Sequence, residues 1–237
     1  MKLGQLLFSQ GFGTRRECGA LIAHGLVEIE SRDRDGSSVV DDVDFELGDP
    51  AGLWFRVRDE RWPYHERALI AMNKPAGYEC SAKPRHHPSV LSLLPAPLRA
   101  RGVQSIGRLD EDTTGVLLFT DDGALVHRLT SPKRHVAKVY EVGCKHPVDT
   151  EQIERLRAGV LLHDENEIVR AAACEATGEC SLRLTLTEGK YHQVKRMIAA
   201  AGNRVEALER SAFGEVRVDG LAPGDWRWAD AGAASAG

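Results

Sequence analysis

Apolar residues recur along this chain in two rhythms, and the one that opens it is helical. Leu3, Leu6 and Leu7 fall on one helical face, a Gly11-x-Gly13 break follows, and Cys18, Leu21 and Ile22 repeat the spacing in a second short helix. Thr14 is placed to cap that helix and Gly25 to stop it, after which Leu26-Val27-Glu28-Ile29 reads as a strand. Arg15 and Arg16 stand in the first turn of the second helix, against its dipole, so helix stability does not explain them. Residues 31–66 are charged, contain Trp54 and Trp62 and carry their own turn signals; they read as the end of a small domain plus a linker.

From residue 69 onward a period of two takes over. Strands are predicted at 69–72, 116–119, 138–144, 181–187, 205–208 and 214–218, with Leu182, Leu184 and Leu186 alternating cleanly. Helices are predicted at 123–130, 150–158 and 192–201. Strands outnumber helices without a regular β-α-β alternation, which predicts an α+β fold built on a mixed, largely antiparallel sheet. The domain plan is therefore a small domain with linker at 1–60, a larger domain at 61–230 and a small-residue tail at 231–237 that is expected to be disordered.

At 237 residues the chain is long enough for a real core. Cys18, Cys80, Cys144, Cys174 and Cys180 make an odd number with no C-x-x-C pair, which argues against a disulfide framework or a zinc ribbon and for a reduced cytoplasm. The start, Met1-Lys2-Leu3-Gly4-Gln5, lacks the apolar core of a signal peptide, and no apolar run reaches membrane-spanning length, so no membrane partner is expected. A net charge of −4 looks wrong for binding nucleic acid until it is counted by segment. Residues 31–66 hold five Lys or Arg against ten Asp or Glu, whereas 67–147 hold twelve against seven, together with His86, His87, His127, His135 and His146. Phosphate contacts depend on local basic surface, so that surplus permits an RNA footprint without demanding one.

The run Gly107-Arg108-Leu109-Asp110-Glu111-Asp112-Thr113-Thr114-Gly115 feeds the apolar stretch 116–119 and is followed by Thr120-Asp121-Asp122-Gly123. Glycine at both ends and four apolar residues afterwards fit loop, strand and turn better than a helix. The carboxylate of Asp110 thus lies beside the cation Arg108 on a loop, where chemistry commonly sits. Taken alone, such an Asp is ordinary turn chemistry, its side chain bonding nearby amides. Asp110-x-Asp112-x-Thr114 also spells the nucleophile loop of haloacid-dehalogenase-like phosphatases, which would make Asp110, Asp112, Asp121 and Asp122 a magnesium site. In that loop the first Asp follows apolar strand residues, whereas here Gly107 and Arg108 intervene. Two more elements carry polar groups of interest. At helical spacing His192, Lys195, Arg196 and Ala199 share one face while Val194, Met197, Ile198 and Ala201 tend to the core; in the strand Lys138-Val139-Tyr140-Glu141-Val142, Tyr140 shares a face with Lys138 and Val142.

The whole string Gly-Arg-Leu-Asp-x-Asp-Thr-Thr-Gly, with its apolar run and Asp-Asp-Gly, resembles the catalytic motif of the RNA pseudouridine synthases related to RsuA. Met72-Asn73-Lys74-Pro75-x-Gly77-Tyr78, His87-Pro88-Ser89-Val90, Ser131-Pro132 with Lys138-x-Tyr140-x-Val142, and Glu188-Gly189-Lys190-Tyr191-His192-Gln193-Val194-Lys195-Arg196-Met197 match in the family's order, from about residue 69 to 228. The resemblance implies an isomerase of the pseudouridine synthase fold that needs neither cofactor nor metal. It makes Asp110 the nucleophile, Lys195 its basic partner, and Tyr140 a surface for stacking the uracil and a candidate for proton transfer. A carboxylate in a partly dry pocket needs such an opposite charge, or it protonates. Arg108 would fill the space left by an extruded base. Lys138, His192 and Arg196 would contact RNA, and Lys74 in its rigid turn would be structural or contact phosphate.

The first thirty residues resemble the S4-like RNA-binding domain fused to these synthases, which assigns Arg15 and Arg16 to RNA. Lys2-Leu3-Gly4-Gln5 departs from that domain's basic start with Asp-Lys, and Glu30-Ser31-Arg32-Asp33 from its Asn-Gly or Asp-Gly turn. Ser131-Pro132-x-x-His135-x-x-Lys138-x-Tyr140, Gly159-Val160-Leu161-Leu162-His163-x-Glu165 and Leu221-Ala222-Pro223-Gly224 favour the small-subunit branch, and so the uridine at position 516 of 16S ribosomal RNA, modified by a monomer. A 23S ribosomal RNA synthase and a non-catalytic RNA-binding assembly factor are the alternatives; the second has no need of Asp110, Tyr140 and Lys195 together.

Overall fold

The computed structural model describes residues 1–30, 36–163 and 165–235, so the turn expected at 31–33 lies outside it. The chain forms two compact units. Residues 1–68 with 94–103 make the first, and residues 69–93 with 104–237 the second. The boundary falls later than the sequence reading placed it, and the first unit recruits a segment from far down the chain.

In the first unit α1 (Leu3–Ser9) and α2 (Arg15–Ala23) precede a sheet of β1 (Val27–Glu30), β2 (Ser37–Val39), β3 (Trp54–Val57) and β4 (Glu60–Pro63), in the order β2-β1-β3-β4 and antiparallel throughout. Thr14 caps α2 as expected: its hydroxyl accepts from the Glu17 amide at 3.3 Å while its own amide donates to the Glu17 carboxylate at 2.7 Å. The expected linker is instead three strands of this sheet. Phe55 and Trp62 from it are buried with Leu3, Leu6, Leu7 and Ile22, and Phe12 meets both rings edge-on at 5.6 and 5.5 Å. The recruited segment carries α3 (Ala96–Ala100) and, just after it, Arg101, whose guanidinium donates to the Gln10 side chain and to the carbonyls of His65 and Glu66.

The second unit is an eight-stranded sheet with helices. Its elements are β5 (Leu69–Lys74), β6 (Gln104–Ser105), β7 (Thr114–Thr120), α4 (Gly123–Thr130), β8 (Lys138–Cys144), α5 (Thr150–Ala158), a small ribbon of β9 (Val160–Leu161) and β10 (Ile168–Val169), β11 (Ala173–Gly178), β12 (Ser181–Leu186), α6 (Gln193–Ala200), β13 (Val205–Phe213), β14 (Trp226–Trp228) and α7 (Ala231–Ser235). The main sheet runs β11-β12-β8-β13-β7-β5-β14, with β6 beside β7. Among the described residues its strand pairings are antiparallel except that of β7 with β13. At that parallel seam Gly115, at φ +97°, has no room for a side chain: a Cβ would lie 2.3 Å from the Arg210 carbonyl oxygen.

Two expectations for the end of the chain need correction. Residues 205–208 and 214–218 do not form two strands; β13 runs on to Phe213, and Gly214 at φ +56° opens a tight turn in which Phe213 and Val216 exchange both backbone hydrogen bonds. Residues 231–235, expected to be disordered, form α7, and Ala234 is buried in a core cluster with Phe213, Val216, Val116 and Leu118. Small side chains allow that close docking, which their lack of bulk had made to look like disorder.

Candidate active site

The loop from β6 to β7 is built around a buried cation. Lys74, at the end of β5, is fully buried, and its ammonium donates to the carbonyls of Pro75 (3.0 Å), Asp110 (3.0 Å), Glu111 (3.2 Å) and Thr113 (2.8 Å). Burial pulls its pKa below the ordinary lysine value, partly opposed by neighbouring acidic groups. The role in RNA contact is corrected here: every donor is spent on the loop, and no phosphate can reach it. The loop is pinned further by Gly77 N–H to Glu111 O (2.8 Å), Thr113 N–H to Asp110 O (3.1 Å) and Leu109 N–H to the Cys80 sulfur (3.4 Å).

The backbone of Asp110 is thus fixed from beneath, and its carboxylate is met from α6. Lys195 Nζ lies 3.2 Å from Oδ2 and His192 Nε2 lies 3.2 Å from Oδ1, with the Asp110 side chain 28% exposed. His192 reaches this position from the cap of α6 in a left-handed conformation, φ +48°, and Tyr191 stacks on its ring at 3.8 Å. Lys195 is shared. It also holds Asp112, at 2.6 and 2.8 Å, more tightly than Asp110. Partial burial works against the Lys195 charge, but the bonds and charges of the two aspartates outweigh it and hold its pKa above the usual value. For Asp112 burial works upward and the Lys195 bond and charge win, so its carboxyl sits below the usual range.

A cavity of about 840 Å³ opens beside this carboxylate, lined by Asp110, Asp112, Arg108, Lys138, Tyr140, His192, Lys195 and Arg210, among others. That volume accommodates a nucleotide. Tyr140 is buried on β8, flanked in register by Leu184 of β12 and Arg210 of β13. Lys138, two residues earlier on the same face, is half-buried and donates to the Val136 carbonyl at 3.0 Å. Burial first, then the nearby Arg210 charge, push its pKa down to about 8 against the opposing pull of Glu188. Arg108 is exposed at the rim.

Arg196 does not line the cavity: its guanidinium donates to the Tyr191 carbonyl at 3.0 Å and faces Glu165 at 3.8 Å, which corrects its placement with His192 and Lys195. A left-handed residue at 192 breaks the ideal helical face on which the four were grouped. Arg15 and Arg16 are exposed on α2 of the first unit, with Arg15 over the Phe8 ring at 5.1 Å. Arg210, buried in the cavity wall, was missed because its strand was expected to end at 208; its alternation with the buried Leu208 and Ala212 was the available signal.

The phosphatase alternative fails on geometry. Asp110 and Asp112 precede β7, whereas Asp121 and Asp122 follow it, and a seven-residue strand spans roughly 20 Å. Asp122 is moreover used as the cap of α4, accepting from the amides of Ala124 (2.9 Å) and Leu125 (3.2 Å).

Several known proteins resemble this chain. The family model for RNA pseudouridylate synthase matches residues 68–200. The chain is 44% identical over 164 residues to "Ribosomal small subunit pseudouridine synthase A" of Escherichia coli (strain K12), covering 69% of this chain and 71% of that protein. It is 39% identical over 232 residues to "Uncharacterized RNA pseudouridine synthase YtzG" of Bacillus subtilis (strain 168), covering 96% and 94%. A solved structure described as "Crystal structure of pseudouridylate synthase" superposes with a TM-score of 0.66 at 33% identity, covering 98% of this chain and 97% of the other. The loop that holds Asp110 and the helix that meets it both fall within the matched residues, and the chain belongs to the RNA pseudouridylate synthase family.

Proposed function

We propose that this enzyme converts one uridine of small-subunit ribosomal RNA, the one at the position named above, to pseudouridine, with Asp110 as nucleophile. The observation that carries the chemistry is the Asp110 carboxylate held between His192 and Lys195 at the wall of a nucleotide-sized cavity lined by Tyr140. The choice of RNA rests on the small-subunit synthases among its relatives.

The target uridine leaves its stack and enters the cavity, and Arg108 at the rim occupies the gap. Asp110 attacks C1′ of the ribose or C6 of the base, the glycosidic bond breaks, and the retained uracil turns and rejoins through C5. Tyr140 stacks on the base and is placed to take the C5 proton. The reaction transfers no electrons and adds no group, so it calls for no cofactor. Arg15 and Arg16 on the first unit, read as an S4-type RNA-binding domain, contact RNA outside the cavity. No helix among the described residues is long and apolar enough to cross a membrane.

The test is carbodiimide-blocked primer extension on ribosomal RNA from cells with the wild-type protein, Asp110→Asn or no protein. The small-subunit stop is expected only with wild type. A stop that persists with Asp110→Asn removes the nucleophile, and a loss confined to large-subunit RNA removes the substrate.

A further inference from the structure

Lys74 shows how this protein satisfies a buried cation that serves only structure: four carbonyls surround it. Arg210 is treated differently. It is 2% exposed, Nε donates to the Val116 carbonyl at 2.8 Å, and Nη2 is buried with no partner among the described residues. Unsatisfied buried donors are rare enough to need a reason, and a charged one most of all. A second cation stands close by. Lys138 Nζ and Arg210 Cζ each lie 5.4 Å from the centre of the Phe213 ring, and both residues line the cavity that holds Asp110. Neither forms an ion pair among the described residues. Two like charges in one wall repel, and no carboxylate among the described residues lies within ion-pair distance of either; Glu188 pulls on Lys138 only from farther off.

We propose that Arg210 and Lys138 form a subsite for the carbonyl oxygens of the target uracil, stabilising the negative charge that develops on the pyrimidine. The inference rests on reading Asp110 as the nucleophile. Attack at C1′ breaks the C1′–N1 bond and leaves its electron pair on the base, as an anion spread over N1, O2 and O4. Attack at C6 pushes the C5–C6 pair through C4 onto O4. By either route the balance is the same: N1–C1′ is replaced by C5–C1′, one proton leaves C5, one joins N1, and the Asp110 carboxylate is regenerated. The charge is transient and absent from the bound uridine, so a fixed cation at the carbonyls favours the intermediate over the ground state. Burial of Arg210 keeps competing water away and its Nε anchor keeps the guanidinium from turning aside.

Single-turnover rates of the full-length protein on two RNAs, differing only in uridine or 5-fluorouridine at the target, test this through disappearance of the parent nucleoside. Fluorine withdraws charge from the ring, so the fluorinated base needs less help. Arg210→Gln is expected to slow the uridine RNA about 10²-fold, the loss typical of one removed donor to a developing oxyanion. On the 5-fluorouridine RNA the defect is expected to be about tenfold smaller, with RNA affinity within about twofold of wild type. Equal defects on both RNAs, or a loss of affinity alone, overturn the subsite. Should Arg210→Gln fail to fold by circular dichroism, Lys138→Gln is read on the same pair of RNAs, where a smaller defect on the fluorinated one supports the subsite and equal defects overturn it. Failure of the underlying reading looks different, since Asp110→Asn would then still convert the uridine RNA.

Discussion

Replacing Lys74 with methionine separates a structural cation from an RNA-binding one. Methionine keeps the length and burial but removes the ammonium, leaving its four carbonyls to find other partners. Two of them already have one, because Asp110 O also accepts from Thr113 N–H and Glu111 O from Gly77 N–H. Thr113 O, which is buried, loses its donor at about 1–3 kcal/mol, and Pro75 O, which is only part-buried, loses its donor at less. Relief of the desolvated charge offsets part of this, so a net loss of up to about 3 kcal/mol is expected. For a unit of this size that lowers the melting temperature by up to about 6–12 °C. The loop that aims Asp110 loses its central tie, so kcat should fall about 10²-fold through misplacement of the carboxylate. Scanning calorimetry, single-turnover kinetics and filter binding across a salt series make the comparison. Kd for RNA and its salt slope should match wild type. A contact to phosphate would give the reverse: unchanged melting, and a slope of log Kd against log salt reduced by about 0.7. That pattern would refute the buried role.

Three further outcomes follow from Lys138 and Gly115. Lys138, pushed down to about 8, is charged below that pH and neutral above it, so if its charge is used the rate should fall as pH rises through about 8. Lys138→Arg, charged throughout, should abolish that fall, and a fall that persists assigns it to another group. Because the folded pKa lies below the unfolded value of 10.5, the unfolded chain binds more protons between the two, and stability should rise across that window; urea melts at pH 7.5 and 9.5 check the sign. Gly115→Ala places a methyl 2.3 Å from the Arg210 carbonyl at a φ that L-residues avoid, and should cost about 3 kcal/mol or more in urea denaturation while opening the seam between β7 and β13. A loss below about 1 kcal/mol would mean that the seam relaxes freely.

Much of the local structure could be read from the residues themselves. α4, α5 and β8 begin and end where their apolar periodicity predicts, and Thr14 caps α2 through its own Glu17. The errors arose where local pattern is silent. Strands β2 to β4 looked like a linker because their charged residues sit on exposed or half-exposed positions while Phe55, Val57 and Trp62 carry the burial. The alanine-rich end looked disordered because it packs on a core assembled from distant parts of the chain, β7 and β13 among them.

The loop motif around Asp110 and its order relative to Tyr140 and Lys195 were available from the sequence alone, since motif spacing and turn chemistry depend on residues a few positions apart. Which charges face one another was not. Lys195 lies 83 residues from Asp112, which it grips more tightly than Asp110, and Lys74 lies 39 residues from Thr113, whose carbonyl it satisfies. Burial turned Lys74 from a candidate RNA contact into the support of the loop that holds Asp110. The register of β13 against β8 carried Arg210 into the cavity wall beside Tyr140. A cation costs little in water and a great deal in a core without partners, so its role is decided by where the fold leaves it.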